Sequence, residues 1–132
     1  MIVVDVNVIA YFWLRGPHIA LVERLMSFDP VWAAPVLWRS EFRNVVAGML
    51  RRGMHDVSTL QHLVSDAEAH MMQYPVSSNA VLDAVAASRC TAYDCEYVVL
   101  ARALRVPLAT MDRQLLQAFP DTAVHPERLL PG

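Results

Sequence analysis

Four carboxylates stand where the chain is otherwise apolar. Asp5 closes the run Met1 to Val4, and Glu41 interrupts the apolar face of the segment Pro35 to Gly48. Asp94 stands just ahead of Tyr97 to Ala101, and Asp112 follows Pro107 to Met111. A carboxylate set against apolar structure must be paired, protonated or bound to a metal, because its desolvation is otherwise uncompensated. Four of them point to a divalent-cation site and to hydrolysis of a phosphodiester. The set contains no His or Cys, which selects a hard cation, Mg²⁺ or Mn²⁺. Such an ion polarises a phosphoryl oxygen, lowers the pKa of bound water and stabilises the leaving oxygen.

A plainer reading competes at three of the four positions. Asp5, Asp94 and Asp112 all precede helical runs, where a side chain capping the helix accounts for an Asp equally well. Glu41 differs, because it falls mid-helix on a face shared with Leu37, Val45 and Gly48, while Arg39 and Arg43 point elsewhere. Only an Arg partner or a cation explains it there. Asn7 could hydrogen-bond the first carboxylate or a metal-bound water, or cap the following helix. Spacing alone leaves the metal and capping readings balanced.

Other phosphoryl and hydrolytic chemistries find less support. Asp5 and Asn7 are similar to the Asp-x-Asp start of aspartyl-phosphate phosphatases, and receiver domains also carry acids at strand ends. Both normally place a Lys beside the phosphoryl group, and this chain has no Lys. Ser77, Ser78 and Ser88 lack a neighbouring His or a GxSxG turn. Neither a P-loop nor a GxGxxG dinucleotide fingerprint occurs. His62 and His70 do not have metal-clamp spacing, so surface or contact roles suit all five His. Trp13, Trp32 and Trp38 read as core or interface residues, and Cys90 and Cys95 as small buried side chains. Met49, Met54, Met71 and Met72 read as core filling, with an adaptable contact surface as the alternative.

Alternating β-rich and helical runs must position these groups. Strands are expected at Ile2 to Asp5, Val31 to Ala34 (ended by Pro35), Tyr74 to Val76, Leu108 to Thr110 and Ala123 to His125. Helices are expected from Val8 to Leu14, then to Phe28, and from Val36 to Arg52 with Gly53 as a left-handed cap. Further helices run from about Asp56 to His70, from Asn79 to Ser88 behind a Ser77–Ser78 cap, from Ala92 to Leu104, and from Asp112 to Pro120. Strands separated by helices imply right-handed crossovers and a mainly parallel central sheet with helices on both faces. Ligands of such sheets bind beyond the carboxyl ends of the strands. Asp5 lies at one such end, Thr110 and Asp112 at another.

Length and composition set the bounds. The 132 residues fit one domain, residues 1–132, and 55% hydrophobic against 18% charged residues exclude a disordered chain. The same ratio predicts an apolar surface patch covered by a partner or a second copy. No apolar stretch is long enough to span a membrane, and no basic segment precedes a signal-like core, so a cytoplasmic location is expected. Net charge is −2 and all 11 basic residues are Arg. With the four carboxylates neutralised by metal, nine acids face 11 Arg, a balance that permits a nucleic-acid substrate without arguing for one.

Taken together and in order, these segments resemble the motifs of the PIN-domain ribonucleases, and within them the VapC-type toxins of toxin–antitoxin pairs. Val3 to Ile9 is similar to the opening strand and first acid, and Pro35 to Val46 to the second motif with Glu41. Thr91 to Ala101, centred on Asp94, is similar to the third, and Leu108 to Arg113 to the fourth. The resemblance spans essentially the whole chain. It implies a PIN-like α/β/α sandwich and a Mg²⁺-dependent endoribonuclease, with Mn²⁺ as a substitute. Asp5, Glu41 and Asp94 would be the core ligands, with Asp112 completing the site and Thr110 supporting it. It further implies an RNA substrate, a homodimer and a cognate antitoxin, with DNA contacted only through that antitoxin. By the same analogy the dimer or antitoxin surface would fall on the helices between Val36 and His70. The alternative within the fold is a catalytically inactive module that binds RNA or a protein partner. Cys95 and Glu96 depart from the small residues usual after the third acid. Glu96 is expected on the other side of its helix and is not assigned to metal.

Overall fold

A computed structural model of the chain describes all of residues 1–132. Five short parallel strands form one sheet in the order β3-β2-β1-β4-β5: β1 (Ile2–Val4), β2 (Trp32–Pro35), β3 (Met72–Tyr74), β4 (Leu108–Ala109) and β5 (Ala123–Val124). The connections are α1 (Val6–Trp13) and α2 (Ile19–Phe28), α3 (Trp38–Arg51) and α4 (Val57–His70), α5 (Ser78–Ala86) and α6 (Ala92–Leu104), and α7 (Arg113–Ala118). A short α8 (Pro126–Leu129) follows β5. This is the expected PIN-like α/β/α sandwich. β1 is buried on both faces, as its unbroken β-branched run requires. Helix α6 packs against β1, β2 and β4 with α5 outside it, while α1 gathers α2, α3 and α4.

Local chemistry sets most helix ends. Gly53, at φ 68°, closes α3: its N–H donates to the Leu50 carbonyl at 3.0 Å, and the next N–H, of Met54, donates to Met49 at 3.3 Å. That pair of bonds is the six-to-one and five-to-two pattern of a left-handed helix stop. Asp56 caps α4 through Thr59 N–H, and Ser77 caps α5 through Ala80 N–H. Trp32 and Trp38 are buried in the core, and Trp13 stands edge-on to Trp32. Both cysteines are buried and free. The methionines divide, Met49 and Met71 being buried and Met54 and Met72 exposed.

Two elements differ from expectation. β3 occupies Met72–Tyr74 rather than Tyr74–Val76, paired to β2 from Ala33 opposite Met72 to Pro35 opposite Tyr74. It is an edge strand with an exposed face, so its Met and Gln residues carry no hydrophobic alternation, and Pro75 ends it. Helix α8 was not expected; Pro126 starts it with its missing N–H at no cost, and His125 Nδ1 accepts from Glu127 N–H.

Candidate metal centre

The strand order reverses between β1 and β4, and that crevice collects all four acids. The chain leaves β1 toward β2 on one side, while β4 joins β1 on the other. Ligands of open parallel sheets bind beyond the carboxyl ends of the strands at such a switch. Asp5 follows β1, and Thr110 and Asp112 follow β4. Glu41 lies in the first turn of α3, just past β2, and Asp94 in the first turn of α6.

Asp5 is almost fully buried, 6% exposed, and both its oxygens are engaged. Oδ1 accepts from Val8 N–H at 3.0 Å, and Oδ2 accepts from the Thr110 hydroxyl. Asp5 therefore caps α1 and belongs to the acid cluster at once. Thr110, fully buried, in turn accepts Asp112 N–H at 3.0 Å, so one hydroxyl ties the ends of β1 and β4 together. Asp112 also caps its helix, through Leu115 N–H at 3.0 Å. Asp94 does not: Thr91 caps α6 by accepting the Asp94 N–H at 3.1 Å, and the Thr91 hydroxyl lies close enough to the Asp94 carboxylate to lower its pKa. Asn7 is exposed in the first turn of α1, and it neither caps that helix nor bonds the Asp5 carboxylate.

Glu41 requires a correction. It is not mid-helix, because α3 begins at Trp38 rather than Val36, and its hydrogen-bond partner is Tyr97 rather than an Arg. The Tyr97 hydroxyl donates to Glu41 Oε1 at 2.6 Å. Arg39 and Arg43 both turn away toward Glu68 of α4. Sequence places Tyr97 only in the apolar run that follows Asp94, yet a buried phenol must place its O–H on some acceptor. Its α6 position, one turn past Asp94, was the available signal. Glu41 draws the Tyr97 pKa upward beyond the effect of burial alone.

The carboxylates disturb one another. Burial pushes Asp5 up from 3.8 to about 6, against the Thr110 and Val8 bonds, and the charges of Asp112 and Asp94 add to the rise. Glu41 is raised by burial and then by Asp94 and Glu96, with the Tyr97 bond opposing. Asp94 is raised by burial and by Asp112. Asp94 is thus the hub, repelling or repelled by each of the other three. Glu96, expected on the far side of α6, is close enough to Glu41 to raise its pKa, and lines an apolar groove of about 440 Å³ with Val36, Tyr74 and Leu82.

No positive side chain relieves this repulsion. The ion pairs of the molecule join Asp29, Glu23, Glu68 and Asp121 to their partners and leave out all four site acids. The donor set is all oxygen, negatively charged and short of a counter-ion, which fits a hard divalent cation. As they stand, no three acidic, His or Cys side chains gather closely enough to hold an ion among them. The five His stay outside the cluster, His70 for example meeting the Pro30 carbonyl at 2.8 Å. No helix is long and apolar enough to cross a membrane.

No family model and no curated protein matches the sequence. Solved structures do. The chain is similar to PAE2754 from Pyrobaculum aerophilum, with a TM-score of 0.75 and 20% identity over 96% of this chain and 91% of that one. It is similar also to a toxin–antitoxin complex from Klebsiella pneumoniae, with a TM-score of 0.68 and 15% identity over 96% of this chain and 98% of that one. At these identities what is shared is the fold, over nearly its whole length.

Proposed function

We propose that the chain is a divalent-metal-dependent endoribonuclease of the PIN class, the VapC-like toxin of a toxin–antitoxin pair. One observation carries the reading: Asp5, Glu41 and Asp112 stand around the switch point of the sheet, each within reach of the charge of Asp94, and none of the four has an ion-pair partner. The neighbour from a toxin–antitoxin complex supports the biological role. RNA as substrate, a cognate antitoxin and a homodimer belong to the same proposal. Exposed Leu50, Met54 and Val57 at the α3–α4 connection offer apolar surface for a protein partner, and DNA would be met only through the antitoxin.

Asp5, Glu41 and Asp94 would hold Mg²⁺ or Mn²⁺, with Asp112 completing the set. When bound, the cation supplies Lewis-acid polarisation of the phosphodiester and a more acidic water. The protein's own groups provide the rest. Thr110 fixes one Asp5 oxygen, and Tyr97 fixes one Glu41 oxygen and leaves Oε2 free. Asp94 stands in the first turn of α6, close enough to Asp5, Glu41 and Asp112 for its charge to reach each of them. The test is incubation of the full chain with RNA in Mg²⁺ or Mn²⁺ and in chelator: cleavage should occur only with the metal. The spread of the acids favours a second reading, a PIN-fold module that binds RNA or a protein without cleaving. Calorimetry showing no Mn²⁺ binding would select it.

Tyr97→Phe isolates the orienting bond. Mn²⁺ affinity should drop about tenfold, the lower range for groups that orient a metal ligand. Stability in chelator should fall by about 1–2 kcal/mol, since the lost bond is charge-assisted. Unchanged Mn²⁺ affinity with reduced stability would reduce Tyr97 to a packing role.

A further inference from the structure

The two rims of the acid crevice differ in chemistry. On one side stand Glu96 and the exposed Val36 and Leu82, negative and apolar, where a polyanion would be repelled. The other is built from the α5–α6 connection, the start of α6 and the start of α7. Arg89 and Arg113 are both exposed there and, like Arg105 at the far end of α6, are in no ion pair. The Gln114 side-chain amide donates to the Arg89 carbonyl at 3.1 Å, tying the two segments together. Asp112 caps α7 and directly precedes Arg113, so the bond from Gln114 places the Arg89 connection beside that acid. Tyr93 immediately precedes Asp94 and is 61% exposed.

Unpaired Arg at this position finds phosphate a better partner than water, because a guanidinium can bind two phosphate oxygens at once. An exposed aromatic ring on the same rim offers a stacking face to any base. We propose that Arg89, Tyr93 and Arg113 form the rim that holds the RNA strand, the two Arg on phosphates flanking the scissile one and Tyr93 against a base. This rests on the nuclease reading and adds to it a direction: the strand crosses the α6–α7 side of the crevice and avoids the Glu96 side.

Steady-state cleavage of a labelled single-stranded RNA in Mn²⁺, over a range of salt, tests it. For Arg89→Gln/Arg113→Gln, KM should rise at least about tenfold with a much smaller change in kcat. Its logarithmic dependence on salt should flatten by about 1.4, two phosphate contacts at about 0.7 each for a single strand. Tyr93→Ala should raise KM about tenfold through lost stacking. Mn²⁺ affinity of the double variant, measured by calorimetry, should match the wild type. Arg105→Gln removes one such charge at the far end of α6 and should leave KM unchanged. A wild-type KM and salt slope in the double variant, or an equal loss in Arg105→Gln, overturns the rim while the nuclease reading stands. A wild-type chain that fails to cleave RNA takes down both.

Discussion

Asp94→Asn should lower metal-dependent cleavage by about 10²–10³-fold while leaving the fold intact. The magnitude is that for deleting a group aimed at charge developing in the transition state. The position makes the experiment clean. Asp94 contributes its backbone N–H to the capping of α6, and an Asn there keeps both that N–H and a side-chain oxygen that can accept from the Thr91 hydroxyl, so the amide variant preserves what the fold uses. Asp94 is also the acid whose charge reaches each of the other three. Removing that charge relieves repulsion, and the melting temperature in chelator should hold or rise slightly. RNA cleavage followed with purified variant and wild type, beside thermal unfolding of both, checks the two halves together. Full Mn²⁺-dependent activity in the variant would sink the metal reading.

Asp5→Asn should stabilise the metal-free protein at neutral pH and abolish its cation response. The Asp5 pKa is raised by burial to about 6, so the folded state holds the proton more tightly than the unfolded chain. The stability this contributes is fully present below the ordinary carboxylate pKa near 3.8 and is lost as pH rises through about 6. The rise corresponds to about 3 kcal/mol at most, applied to a group that is truly buried. Wild-type stability in chelator should therefore decline from pH 4 to pH 7 by an amount on that order. Asn keeps an acceptor for Val8 N–H and turns an amide N–H toward the Thr110 oxygen, so the variant should lose that decline and exceed wild type by about 1–3 kcal/mol above pH 7. Adding Mn²⁺ at about 100 times its Kd should recover about 2.7 kcal/mol for wild type only. Denaturant titrations at several pH values measure all of this; identical pH slopes for variant and wild type would contradict it.

The types and order of the acids, the alternation of strands and helices, and most helix stops were legible in the sequence. Each depends on residues a few positions apart. Gly53 ends α3 because it alone there takes a left-handed backbone cheaply, and Ser77 caps α5 because its side chain reaches an N–H three residues on. The crevice itself was legible as the carboxyl edge of a parallel sheet. Which partners the acids find was not. Thr110 meets Asp5 across 105 residues of chain and Tyr97 meets Glu41 across 56. Those bonds arise only once β4 lies beside β1 and α6 lies across the sheet. Likewise, Asp5 and Asp112 proved to be helix caps and cluster members together, an outcome that local reasoning had posed as a choice. The sequence by itself determined which groups could do chemistry, through short-range rules of periodicity and capping. The tertiary structure alone decided which of them are held and which repel, because desolvation and charge depend on distances between segments remote in the chain.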